Sequence, residues 1–315
     1  MPGSAAGLVD ATRGGDRRAL ARLLSVVEAG GDDARVALAS LPVTVADGAW
    51  TVGITGAPGA GKSTLTDDLV AHLRDGGEQV AVLAVDPSSP FTGGAILGDR
   101  VRMQRHATDP GVFIRSMATR GHFGGLARAT PQAVRVLAAA GYGWILVETV
   151  GVGQVEVEIA AAADTTVVVV NPGWGDAVQA AKAGLLEIGE VFAVNKADRA
   201  GLAATVHDLR AMLELAGAQP WTPPVLETVA TDDDGVDALL DAVRRHRAHL
   251  EASGGLPARR ERRIADELRA LVLDSLTKQA DDFCSGPRFA TLVRQVADGT
   301  SDPYTAATLL SDGAD

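Results

Sequence analysis

A glycine-rich segment between a predicted strand and a predicted helix most constrains how this chain can fold. Residues 56–64 read GAPGAGKST, which matches the pattern G-x-x-x-x-G-K-[ST]. The run 50–55 before it is typical of a buried strand, and leucines at helical spacing follow it. In this context the glycines let backbone N–H groups surround a phosphate at a helix N-terminus. We therefore expect a phosphate-binding loop, with Lys62 on the β- and γ-phosphates and Ser63 on Mg²⁺, rather than a turn that binds nothing.

Short aliphatic runs then alternate with helical patterns as far as about residue 250, which is the signature of parallel βαβ units. Several runs are continuously apolar, as expected of strands buried on both faces. The sequence therefore predicts an α/β fold, a P-loop NTPase with a mostly parallel central sheet flanked by helices. The predicted strands are 50–55, 80–85, 112–116, 144–148, 165–171, 191–195 and 225–229.

Helical segments flank this predicted domain on both sides. We expect an N-terminal helical extension over 1–44, a nucleotide domain over 45–252 and a C-terminal helical arm over 256–315. Three short amphipathic helices in the arm suggest docking on a second subunit, although packing within the chain is the alternative. The arginines at 259, 260, 262 and 263 are interpreted as a solvated helix face in preference to a partner or phosphate contact.

Composition narrows the classes of function. The formal net charge of −11 argues against general binding of nucleic acid or of anionic membranes. No apolar run approaches about 18 residues and no signal pattern is present, so we expect a cytoplasmic protein. The single cysteine, Cys284, is expected to be a buried apolar residue, and the scattered histidines, including His246 and His249, are expected at the surface.

The sequence Asn195-Lys196-Ala197-Asp198 follows an apolar strand and predicts which base is bound. A carboxylate only accepts hydrogen bonds, and guanine presents two adjacent donors that adenine lacks. Asp198 would therefore select guanine, Asn195 would tie this loop to the phosphate loop, and the Lys196 stem would cover the base. The alternative role for Asp198 is that of a helix N-cap.

Acidic residues end two other predicted strands. Glu148 is placed beside the phosphate loop, where it can hold a water bound to Mg²⁺. Asp86 and Asp99 are further candidates for the Mg²⁺ region, although one of them could be only a turn former. Gln154 is interpreted equally well as a residue that orients the attacking water and as a polar loop residue.

These motifs together resemble the MeaB/ArgK branch of the G3E GTPases, and the resemblance covers nearly the whole chain. The segments that carry it are 56–64, 85–90 (VDPSSP), 97–100 (LGDR), 148–154 (ETVGVGQ) and 195–198. The resemblance implies a G-protein chaperone of an adenosylcobalamin-dependent acyl-CoA mutase, chiefly methylmalonyl-CoA mutase. It also implies slow GTP hydrolysis that the mutase accelerates, with GTP or GDP and Mg²⁺ bound, and a homodimer formed through the C-terminal helices.

The resemblance also assigns residues to the site. It implies phosphate contacts at Gly59, Ala60, Gly61, Lys62, Ser63 and Thr64. It implies Mg²⁺-region acids at Asp86, Asp99 and Glu148, and guanine contacts at Asn195, Lys196 and Asp198. Gln179 and Lys182 would swing towards the nucleotide when the mutase binds, and Val229, Ala230 and Thr231 would offer backbone contacts to the base.

Two other functions remain open at this point. One is an ArgK-like ATPase or kinase linked to amino-acid transport, and the other is a nucleotide-gated scaffold with incidental hydrolysis. No residue is clearly placed as an arginine finger, and Arg115 and Arg120 are possible but unsupported candidates.

Overall fold

A computed structural model describes residues 5–41, 48–86, 104–118, 125–149, 162–173, 184, 187–215, 217 and 219–311. The chain divides into two compact units, Met1–Arg263 and Ile264–Asp315. Each unit has its own internal packing, and the larger one contains the central sheet and the candidate site.

A seven-stranded sheet with every neighbouring pair parallel forms the centre of the larger unit, in the order β3-β2-β4-β1-β5-β6-β7. This confirms the predicted α/β fold, and each predicted strand lies within two residues of an observed one. The strands are β1 Trp50–Gly56, β2 Val80–Asp86, β3 Val112–Ala118, β4 Trp144–Thr149, β5 Thr165–Val170, β6 Val191–Asn195 and β7 Val225–Thr228. Because all strands run the same way, their carboxyl ends meet at one edge of the sheet, where ligands bind in folds of this kind.

Helices cover both faces of the sheet. The helices of the described residues are α1 Ala5–Arg13, α2 Arg17–Ala29, α3 Gly31–Ala39, α4 Lys62–Asp75, α5 Gly125–Ala139, α6 Leu202–Leu215, α7 Val236–Ser253, α8 Gly255–Phe283, α9 Pro287–Ala297 and α10 Pro303–Ser311. Successive strand residues point to opposite faces. Leu146 accordingly packs in the core under α4 and α7, and Val147 packs in the core under α2 and α5. A third cluster joins β6 to α6.

The N-terminal helices complete the core over one half of the sheet. One face of α2 is buried in a cluster with residues of β2, β3 and β4, through Leu20, Leu23, Leu24 and Val27. Asp16 caps α2 by accepting hydrogen bonds from two backbone N–H groups of its first turn. The extension therefore packs as part of the larger unit.

The C-terminal unit differs from the prediction in two respects. The first predicted short helix is α8, which is 29 residues long and has no buried residue. Pro257 does not interrupt it, because it stands in the first turn, where the missing N–H would have no helical partner. Cys284, expected to be buried, is exposed. Asp302 caps α10, because its carboxylate accepts hydrogen bonds from the N–H groups of Tyr304 and Thr305 in the first turn.

The arginines at the start of α8 also correct an expectation. Arg260 and Arg263 lie 3.4 and 3.2 Å from the carboxylate of Asp164, which is 1% exposed at the amino end of β5. The Nη1 atom of Arg259 lies 2.7 Å from Glu190 Oε1, at the amino end of β6. Three of the four arginines therefore bind the sheet edge of their own chain rather than solvent, a partner or a phosphate.

His246 is not at the surface either. It is 2% exposed, its Nδ1 lies 2.9 Å from Thr165 Oγ1, and Trp221 packs against its ring. Burial, assisted by the nearby charge of Arg259, lowers the pKa of His246 to about 4. This histidine is a neutral core residue, whereas His249 is only half-buried.

Candidate nucleotide site

The glycine-rich segment forms a tight loop between β1 and α4. Gly56 and Gly61 have φ angles of 134° and 95°, in the region that favours glycine. A Cβ at Gly56 would lie 1.9 Å from the carbonyl oxygen of Val169, and one at Gly61 would lie 2.2 Å from Asn195 Nδ2. No side chain larger than hydrogen fits at either position, so the glycines let the loop approach its neighbouring strands.

Lys62 begins α4 and points back into the loop. Its Nζ donates hydrogen bonds to the carbonyl oxygens of Gly56, at 2.6 Å, and Ala57, at 3.0 Å, and the residue is only 6% exposed. A positive charge is thus fixed at the N-terminus of α4, whose helix dipole adds to it. Together they form a setting that favours a phosphate.

Glu148 and Ser63 meet beside this loop. Glu148 lies on β4, next to β1 in the sheet, and is fully buried. The Ser63 hydroxyl donates a hydrogen bond of 2.5 Å to Glu148 Oε1. A hydroxyl and a carboxylate are the oxygen donors that Mg²⁺ prefers, so this pair fits the predicted cation. The predicted closeness of the β4 carboxylate to the phosphate loop is found in the structure.

Asn195 joins the phosphate loop to the predicted base loop. Its Nδ2 donates to the carbonyl oxygen of Ala60 at 2.8 Å. Its Oδ1 accepts from the backbone N–H of Ala230 at 3.1 Å and from the Thr228 hydroxyl at 3.2 Å. The predicted tie is therefore present, and it extends to the segment after β7, which the sequence did not indicate.

Lys196 and Asp198, the other two residues predicted to contact the base, follow Asn195 at the end of β6. Lys196 has a φ of 62°, and its Nζ donates to the carbonyl oxygen of Gly59 at 2.6 Å. Its stem therefore spans from the base loop to the phosphate loop. Asp198 is exposed, so its carboxylate is accessible to a ligand.

The segment after β7 uses part of its backbone within the protein. The N–H of Val229 donates to the carbonyl oxygen of Asp234, and the N–H of Ala230 donates to Asn195. Thr231 follows in a short 3₁₀ turn, Ala230–Asp232. Contacts from these residues to a base stay a prediction.

Some predicted residues fall where the structure gives no description. Asp86 is the last residue of β2, and its side chain is outside what is described. Asp99, Arg120, Gln154, Gln179 and Lys182 lie outside the described residues. Arg115 is described, and it donates to Glu28 and Ser25 of α2 at 2.9 and 3.0 Å, so it has a structural role.

Comparison with known proteins agrees with this geometry. The family model described as "Methylmalonyl Co-A mutase-associated GTPase MeaB" matches residues 20–283. The chain belongs to the MeaB family. The MeaB match includes the phosphate loop, Glu148 and the base loop, so the site lies within the part of the chain that defines the family.

Relatives of this MeaB-family chain match along most of its length. A protein of Pyrococcus abyssi is 49% identical over 308 residues, which are 96% of this chain and 94% of that protein. The GTPase ArgK of Escherichia coli is 35% identical over 83% of this chain and 81% of its own length. A crystal structure of a LAO/AO transport system kinase superposes with a TM-score of 0.70 at 26% identity, covering 98% of this chain and 96% of that one. This chain is thus a MeaB-family GTPase with the P-loop fold.

Proposed function

We propose that this protein is a Mg²⁺-dependent GTPase that serves as a G-protein chaperone of an adenosylcobalamin-dependent acyl-CoA mutase. The single observation that carries the proposal is the Asn195 joint. It places a phosphate loop and a loop that ends in an exposed aspartate side by side in a MeaB-family chain. One pocket can then hold the triphosphate at one end and the guanine base at the other.

The described residues supply binding and charge rather than covalent chemistry. Lys62 and the N-terminus of α4 would stabilise the charge that develops on the γ-phosphate during in-line attack by water. Ser63 and Glu148 would hold Mg²⁺, which when bound neutralises phosphate charge. Lys196 would cover the base, and Asp198 would accept from its N1–H and exocyclic amine.

We further propose that intrinsic hydrolysis is slow and that the mutase accelerates it. Arg115, one of the two candidate fingers, is bound to Glu28 and does not support a finger role. An arginine finger or an ordered catalytic loop contributes several orders of magnitude to GTP hydrolysis, so a partner that completes the site would raise the rate strongly. Gln154, Gln179 and Lys182 remain the proposed residues for such a step.

The choice of partner rests on the family description, which names methylmalonyl-CoA mutase. We also propose a homodimer and a cytoplasmic location, without binding of nucleic acid or membranes. In the part of the chain that the structure describes, every helix is too short or too polar to cross a bilayer.

The test is a phosphate-release assay with purified protein, GTP and Mg²⁺, with and without methylmalonyl-CoA mutase from the same organism. We expect slow release from GTP, acceleration by the mutase, and loss of both in Lys62→Ala. Co-purification of the two proteins would be compared with GTP and with GDP bound. An unchanged rate with mutase would favour the scaffold function instead.

A kinase function is the second candidate, because a closely superposing structure is described as a transport system kinase. In that case the γ-phosphate of labelled nucleotide would pass to a protein rather than to water, and ATP would compete with GTP. Recovery of all the label as inorganic phosphate, with none on protein and no competition by ATP, would argue against a kinase.

A further inference from the structure

His72 on α4 makes contacts that only a charged imidazole can satisfy in full. Its Nε2 lies 2.8 Å from Asp233 Oδ1, and its Nδ1 lies 2.7 Å from Asp237 Oδ1. A neutral imidazole carries one N–H, and ionised carboxylates can only accept. Both contacts are hydrogen bonds only when both ring nitrogens are protonated.

The two carboxylates lie just beyond the candidate base-binding segment. Asp233 is in the turn after β7, with a left-handed φ of 59°, and Asp237 is in the first turn of α7. The turn is closed by hydrogen bonds between Val229 and Asp234 in both directions. Its Ala230 N–H donates to Asn195, the residue that joins the base loop to the phosphate loop.

Two hydrogen bonds thus link His72 to Asn195 through the turn, one between His72 and Asp233 and one between Ala230 and Asn195. His72 is on the same helix as Lys62 and Ser63. Through Asp233 it contacts the turn whose backbone is bonded to Asn195. Whatever fixes this turn against α4 also fixes the distance between the phosphate loop and the base loop.

We propose that His72 is a positioning residue for guanine-nucleotide binding, which in its charged form clamps the turn 229–234 to α4 and so strengthens nucleotide affinity. This inference rests on the proposed GTP site. His72 itself is too far along α4 to be assigned a contact with the nucleotide, so it acts through the turn.

The charged groups around His72 set the direction of the pH effect. They are Asp68 on α4, which is hydrogen-bonded to Arg105, Asp233 in the turn, and Asp237 in the first turn of α7. The hydrogen bond to Asp233 raises the pKa of His72 above 6.5, against the opposing effect of burial. The clamp is therefore favoured below pH 6.5, and it weakens as pH rises through the raised pKa of His72.

The experiment measures the Kd of GDP, at constant Mg²⁺, between pH 6 and 9 for the natural protein and for His72→Gln. His207→Gln is the matched control, since His207 is exposed on α6. At pH 6 we expect His72→Gln to bind GDP about two- to fivefold more weakly than the control, a range that corresponds to a partly exposed ion pair. The difference between the two variants should shrink as pH rises through the raised pKa of His72, and titration of GDP itself cancels in the ratio.

A constant ratio between His72→Gln and His207→Gln from pH 6 to 9 would overturn the inference. If circular dichroism shows that His72→Gln is unfolded, Asp233→Asn replaces it, with Asp208→Asn as control, since Asp208 is exposed on α6. Asp233→Asn should weaken GDP binding at pH 6 and should lower the pKa of His72 measured by NMR. An unchanged Kd or an unchanged pKa would also overturn the proposed clamp. ADP binding as tightly as GDP at pH 6 would refute the proposed function, whereas selective GDP binding with a constant ratio would refute only the clamp.

Discussion

Asn195 shows how one side chain can organise a nucleotide site. It is 2% exposed and uses both ends of its amide, the Nδ2 on the phosphate loop and the Oδ1 on the segment after β7. A buried amide that lost one of these partners would carry an unsatisfied polar group, which costs about 1 to 3 kcal/mol. The two hydrogen bonds of Asn195 therefore hold the phosphate loop and the segment after β7 in place without a bound nucleotide.

Asp198→Asn should change the base that the protein prefers. Guanine offers donors at N1 and at the exocyclic amine, whereas xanthine replaces the amine with a carbonyl that an asparagine N–H can bind. We expect about tenfold weaker binding of GDP, the low end for a hydrogen bond to a charged group, and tighter binding of xanthosine diphosphate. Calorimetry with both nucleotides measures the exchange.

Asp208→Asn is the matched control for this change, because Asp208 is an exposed aspartate on α6. It should leave both affinities unchanged. If Asp198→Asn behaved like Asp208→Asn, the assignment of the 195–198 loop to the base would be wrong.

Residue roles could be predicted where the interacting groups belong to a contiguous motif. Lys62 contacts carbonyls five and six positions away, so the loop pattern is enough to place it. His246 and His72 could not be interpreted in this way, because their partners Thr165 and Asp233 are 81 and 161 residues away. A histidine beside arginines in a helix gives no local sign of burial.

Among the elements, the strands were the most predictable. A run such as Thr165–Val170 is buried at every position, as expected of a central parallel strand covered on both faces. The start of α8 was the least predictable, because its arginines contact Asp164 about a hundred residues earlier, and a cluster of positive charge is usually solvated. The sequence contained both groups but no indication that they pair.

Asp164→Asn should therefore destabilise the larger unit. The carboxylate is buried between Arg260 and Arg263, and it also accepts from the backbone N–H of Thr51 at 3.0 Å. Removing one member of a buried ion pair costs about 3 to 5 kcal/mol. Both guanidinium groups keep backbone carbonyl acceptors, so we expect about 2 to 3 kcal/mol.

Urea unfolding followed by circular dichroism measures this loss, with Asp208→Asn again as the exposed control. Since the asparagine side chain introduced by Asp164→Asn can still accept from the Thr51 N–H, the difference between the two variants reports the charge interaction. Equal unfolding midpoints would mean that the arginines at the start of α8 do not stabilise the fold.

At the scale of the whole molecule, the sequence predicted a helical arm but not where a separate unit begins. The visible break is at residues 253–257, whereas α7 and α8 are separated only by Gly254, with a φ of 69°. The second unit begins at Ile264, inside α8, because the arginines before it are bonded to the sheet edge. A unit boundary within a continuous helix leaves no mark in composition.

The apolar stripe of α8 remains exposed in the single chain. Ile264, Leu268, Val272 and Leu276 are each more than half exposed, and Leu271 is 38% exposed. Repeated apolar residues along one face of a helix are costly in water and mark an interaction surface. This exposure supports the proposed homodimer, since a second copy offers an equal stripe and an isologous contact.

Leu268→Glu should therefore yield a monomer. Leu268 lies near the middle of the stripe and is 59% exposed in the single chain, so a charge there costs little in the monomer. In a dimer the carboxylate would be buried against an apolar partner, which costs at least several kcal/mol and would weaken association more than a hundredfold.

Thr277→Glu is the control, because Thr277 is exposed on the opposite side of α8. Light scattering coupled to size exclusion should give a dimer for the natural protein and for Thr277→Glu, and a monomer of about 32 kDa for Leu268→Glu. A natural protein that is already monomeric at micromolar concentration would exclude the dimer and leave the stripe to another partner.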